Sequence, residues 1–88
     1  MEKIILNGKR MTGPVQAHEY LAQKLSFPEY YGKNLDALWD MLTGMSGVEL
    51  VLKHSDSMLK QLQAYGANLL QTLYEAAAEN ESLDFRVE

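Results

Sequence analysis

Three short strand-like runs, Lys3 to Leu6, Val48 to Leu52 and Leu83 to Glu88, stand far apart in the chain, with helical periodicity in the gaps between them. Strands separated by helices do not meet as hairpins; they build a parallel sheet through right-handed crossovers. The spacing predicts a small α/β domain with a three-stranded parallel sheet and about four helices. Val48 to Leu52 is the most continuous apolar run, broken only by Glu49, so it belongs at the centre. Lys3 to Leu6, ended by Asn7-Gly8, reads as a strand buried or nearly so. The run from Leu83 alternates strictly and keeps one wet face, which suits an edge. The expected strand order is 1-2-3. Eighty-eight residues leave no room for a second core, so residues 1–88 are read as a single domain.

Local signals place the helices. Pro14 suits the first position of a helix that continues from Val15 to Leu25. Ala17, Leu21, Ala22 and Leu25 form its inward stripe, with His18 and Tyr20 flanking. Ser26-Phe27-Pro28 ends it, because a residue before proline is pushed out of helical space. Asn34 is a good N-cap for a helix from Leu35 to Thr43, and Gly44 stands where a left-handed residue would end it. Met45-Ser46-Gly47 reads as a loose connection. Ser55 or Asp56 caps a brief helix with Met58, Leu59 and Leu62 inward. Tyr65-Gly66 breaks it. Asn68 then caps the longest helix, Leu69 to about Glu79, with Leu69, Leu70, Leu73, Ala76 and Ala77 inward. Gln71, Thr72, Glu75 and Glu79 are left outside.

Charge narrows the function. Twelve Asp and Glu face eight Lys and Arg. A surface that tracks phosphates needs the opposite sign, so nucleic-acid binding is disfavoured and a basic protein partner fits better. Without cysteine there is neither a disulfide framework nor thiolate chemistry. Ile4-Ile5-Leu6 is too short for a signal peptide, and no segment approaches a membrane span. The expectation is a monomeric cytoplasmic protein that needs no membrane and no cofactor. His18 and His54 each lack a second ligand three or four residues away, so no metal site is expected.

The segment from Pro28 to Gly44 carries the functional signal. Its loop holds Tyr30 and Tyr31, which read as two exposed tyrosines. In the helix that follows, Leu35, Leu38 and Leu42 form a stripe that seeks a core. Asp36, Asp40 and Thr43 form another, with Trp39 at its margin. Like charges four apart repel by about 0.2–0.5 kcal/mol, and Asp40 lies beyond the stabilising reach of the helix dipole. Two Asp in one wet setting do not make an acid–base pair, so no catalytic residue is assigned. Tyrosine and tryptophan beside fixed charge suit the centre of a protein interface. From Glu29 to Glu49 there are four acids and one base, Lys33. Glu75 and Glu79 repeat the four-residue spacing on the last helix; they count as functional only if that helix lies beside the Asp36–Asp40 helix.

The run from Leu25 to Gly44, LSFPEYYGKNLDALWDMLTG, resembles the signature of the barstar-like family, intracellular inhibitors of small secreted ribonucleases. The resemblance is dense over about twenty positions, and the order of elements extends it to the whole chain. It implies an inhibitor that plugs the basic active-site cleft of a guanyl-type ribonuclease. On that resemblance Asp40 stands in for the substrate phosphate and Asp36 pairs with basic groups at the cleft edge. Tyr30 packs on the enzyme's histidine. Gly32, Asn34 and Leu35 supply loop contacts, Trp39 lies at the interface edge, and Glu75 is an acidic contact from the last helix. Met45, at the interface margin, stands where the best-known member has a second interface tryptophan, and the following residues lack its proline. The alternative is an interaction or regulatory domain on the same scaffold with another basic partner.

Overall fold

Strands β1 (Glu2–Asn7), β2 (Val48–Lys53) and β3 (Leu83–Val87) form one parallel sheet in the order 1-2-3 in the computed structural model, which describes Met1–Glu88. Ile5, Val51 and Arg86 lie in one row of the register. A short 3-10 turn (Gly8–Arg10) follows β1. Helices α1 (Pro14–Leu25) and α2 (Leu35–Thr43) connect to β2, and α3 (Ser55–Leu62) and α4 (Ala64–Glu79) connect to β3.

Period-two alternation separates the two sheet faces. Leu6 of β1, Val48, Leu50 and Leu52 of β2 and Leu83 of β3 join a single core with residues from all four helices, among them Leu21, Leu38, Leu42, Met58, Leu69 and Leu73. The helices therefore share one face. A parallel sheet is usually covered on both. Here the second face is roofed by charged side chains. Val51 is 0% exposed yet lies outside the core cluster. Around its row Arg86 pairs with Glu49 and Glu88, and Lys53 reaches Glu88 at 3.7 Å. Long charged side chains cover apolar surface with their stems while their heads stay wet.

The structure corrects several expectations. β1 is not buried throughout: Glu2 and Lys3 are exposed and Ile4 and Ile5 half-buried, because β1 is an edge of a sheet with one wet face. Gly44 ends α2 at φ −95°, still right-handed; the left-handed glycine is Gly47 at φ +70°. The link between them is tied rather than loose. The Asn80 amide donates to the carbonyls of Leu42 (3.0 Å) and Met45 (2.8 Å), and the Gly47 N–H donates to the Ser82 hydroxyl at 2.7 Å.

Further along, neither Ser55 nor Asp56 caps α3. The cap position is His54, at φ 58°, because the turn out of β2 uses a left-handed residue there and leaves Ser55 already helical. α4 starts at Ala64, so Asn68 does not cap it and Tyr65-Gly66 does not break it. The break is Gln63, at φ 56° and ψ −125°. Gly66 is helical and buried. A β-carbon there would stand 3.0 Å from that of Leu62 and 3.3 Å from the Met58 carbonyl, so glycine lets α3 and α4 approach closely.

Candidate protein-binding site

Asn34 begins α2 as expected: its side chain accepts from the Ala37 N–H at 2.7 Å, and its amide donates to the Gly32 carbonyl at 3.3 Å. This bonding joins the loop to the helix and fixes where the helix faces point. Leu38 and Leu42 are fully buried and Leu35 half-buried. That orientation leaves Asp36 and Asp40 exposed. Neither carboxylate has a salt bridge or a side-chain hydrogen bond within the chain. Trp39 is half-buried against the core edge.

α4 lies beside α2. Leu35, Asp36 and Trp39 from one helix, with Thr72 and Glu75 from the other, line a shallow cleft of about 310 Å³. Glu75 is exposed, and its Oε1 accepts from the Gln71 amide at 2.6 Å. Thr72 is the lining residue that the sequence marks only as an outward position. The packing of α4 on α2 brings it in, and no local signal announces it. Tyr30, Gly32, Asn34 and Asp40 are exposed outside this cleft, and Met45 is half-buried against the core. The acids regroup accordingly. Glu49 points to the far face of the sheet and pairs with Arg86, so it leaves the set, whereas Glu75 joins Asp36. Lys33, the one base of the segment, is held by Glu19 at 3.5 Å.

The two loop tyrosines diverge. Tyr30 is 82% exposed, but Tyr31 is 5% exposed, which corrects the reading of both as surface residues. The Tyr31 ring packs on Phe27 at 4.8 Å between centroids. Its hydroxyl lies 2.7 Å from His18 Nδ1, and the Tyr65 hydroxyl lies 2.6 Å from His18 Nε2. His18 is 1% exposed, so it belongs to the interior and not to the flank of α1. Burial pushes the imidazole pKa below its usual 6.5 and pushes both phenols up. No group of three or more His, Asp or Glu side chains gathers as for a metal ion, and no helix is long and apolar enough to cross a membrane.

Comparison with known proteins adds two findings. The family model described as Barstar (barnase inhibitor) matches residues 1–88. A protein of Bacillus subtilis (strain 168) that bears the name "Putative ribonuclease inhibitor YrdF" is 42% identical over 81 residues, 90% of this chain and 89% of that one.

Proposed function

The chain belongs to the barstar family, and from that we propose that it inhibits a ribonuclease by occupying the enzyme's active-site cleft. One observation carries the reading: Asp36 and Asp40 are exposed on a rigid helix with no cationic partner of their own. Such carboxylates are available to arginines of another protein, where charge-assisted bidentate bonds are the strongest ordinary polar contacts. In this reading Asp40 takes the place of the substrate phosphate, and Asp36 and Glu75 meet basic groups at the rim. Tyr30, Gly32, Asn34 and Leu35 supply the loop contacts, with Trp39 and Met45 at the margin. The partner is a small basic guanyl-type ribonuclease of the secreted kind, and the inhibitor acts in the cytoplasm as a monomer, without catalysis or cofactor.

The physics suits this role. An acidic surface facing a basic cleft accelerates encounter, and salt screens that gain over a Debye length of about 8 Å at physiological ionic strength. Carboxylates already fixed on a helix lose little freedom on binding.

The test is a titration. Guanyl-specific ribonucleases are assayed for RNA cleavage against increasing amounts of the protein and of Asp40→Ala. Competitive inhibition that weakens in Asp40→Ala supports the reading. Unchanged cleavage across several such enzymes refutes it. Capture of a basic protein without ribonuclease activity through this same face would select the interaction-domain alternative.

A further inference from the structure

The loop from Pro28 to Lys33 presents Tyr30 outward and Tyr31 inward. What holds Tyr31 down therefore sets where Tyr30 stands. The buried polar tie is the chain Tyr31–His18–Tyr65, which links the loop to α1 and α4. Its protons can be assigned from the hydrogen-bond network. A hydroxyl that accepts from an imidazole N–H must direct its own proton elsewhere. Tyr31 is almost wholly buried and its hydroxyl bonds only to His18, whereas Tyr65 is half-buried. The arrangement that satisfies every group has Tyr31 donating to Nδ1 and Nε2–H donating to Tyr65.

We propose that His18 is a positioning residue for the ribonuclease-contacting loop: the neutral Nε2–H imidazole pins Tyr31 to the body of the protein, and uptake of a proton at Nδ1 releases it. This rests on the inhibitor reading above. An imidazolium has two N–H donors and no acceptor. The Tyr31 hydroxyl would have to turn its proton away from His18, the one side chain that bonds to it. The groups that face His18 are Tyr31 from the loop and Tyr65 from α4. On α1 the neighbouring Glu19 is drawn to Lys33 on the loop surface. No carboxylate favours the charged form, and burial opposes it. The loop's remaining ties are weaker. The Glu19–Lys33 pair is half exposed, where ion pairs contribute little, the Asn34–Gly32 bond is exposed and long at 3.3 Å, and the Phe27–Tyr31 contact lacks the direction of a hydrogen bond.

Two measurements test the proposal. The first is amide hydrogen exchange of the free protein, compared as protection factors between about pH 7.5 and about pH 5. Protection of the Tyr31 N–H, which donates to the Pro28 carbonyl at 3.0 Å, should fall about tenfold in acid, while that of Leu50 and Leu52 in β2 changes much less. In Tyr31→Phe and His18→Gln the loop should already be loose at neutral pH, and its acid sensitivity should vanish. The second is the inhibition constant against a ribonuclease that the wild type inhibits, which both variants should raise about tenfold at neutral pH. Loop protection that is unchanged, or that falls only in step with β2, overturns the proposal. The wild-type pH comparison decides even if a variant fails to fold. If the loop loosens as expected but no ribonuclease is inhibited, the inhibitor reading falls and the pinning of the loop stands.

Discussion

Replacing Asp40 by Asn should make the free protein more stable, and replacing Asp36 by Asn should not. Both residues are exposed on α2 and neither has a partner in the chain, so neither substitution breaks a contact. The difference lies in position along the helix. Asp36 is in the first turn, where the helix dipole favours a negative charge by about 0.3–1 kcal/mol. Asp40 is a full turn later and gains nothing from it. Each charge repels the other by about 0.2–0.5 kcal/mol. Asp40→Asn removes only the repulsion, so stability should rise by that amount, a shift in Tm of about 1–4 °C for a domain of this size. Asp36→Asn removes the repulsion and the dipole term together and should leave stability at or below wild type. The double variant should fall short of the sum of the two singles by the repulsion, which it can relieve only once. Urea and thermal unfolding at low ionic strength measure all four proteins, and high salt should shrink the differences. A loss of stability in Asp40→Asn would mean that its carboxylate has a stabilising partner within the fold. The claim of a surface poised for another protein's cations would then fail.

Three further outcomes are expected. Asn80→Ala removes one donated bond to the end of α2, one to the link that follows it and the bond accepted from the Ser82 N–H, and should cost about 2–4 kcal/mol in urea unfolding. Gly8→Ala would drive a β-carbon onto the His54 carbonyl and should cost about 3 kcal/mol, visible as a large fall in Tm. The pH profile of stability should slope at both ends. His18 titrates below 6.5 when folded, so the unfolded chain takes up the proton first; its contribution is full above about 6.5 and is lost as pH falls toward the folded value. Tyr31 and Tyr65 titrate above 10 when folded, so the unfolded chain releases their protons more easily and stability falls as pH rises past 10. Denaturant midpoints across pH, with His18→Gln flattening the acid slope, check the assignment.

The elements and the strand order were legible because each strand and helix carries its own periodicity. Asn34 was legible as a cap because its partner is three residues away. What was hidden depends on distant neighbours. Tyr30 and Tyr31 are the same residue type side by side, and only His18, thirteen residues back, and the rings around it decide which one turns in. Gly66 looks like a breaker locally, yet it is retained inside α4 because α3 packs against it. The true break, Gln63, carries no residue type that announces a left-handed backbone. The candidate site divides in the same way. Asp36, Asp40 and Trp39 could be read from one helix, whereas the company of Glu75 and Thr72 is a product of tertiary packing.

The parallel sheet has one more consequence. Its register joins Glu2 to Val48, forty-six positions apart, and Val48 to Leu83, thirty-five apart. There is no short turn from which strand pairing could zip. Each ladder must first close a long stretch of chain, an entropic barrier that slows folding relative to a hairpin-built domain of equal size. Helical turns, whose bonds are local, can flicker into place well before any two strands meet. The acidic helix therefore belongs to the quickly forming part of the molecule, and the platform that orients it is the slow step.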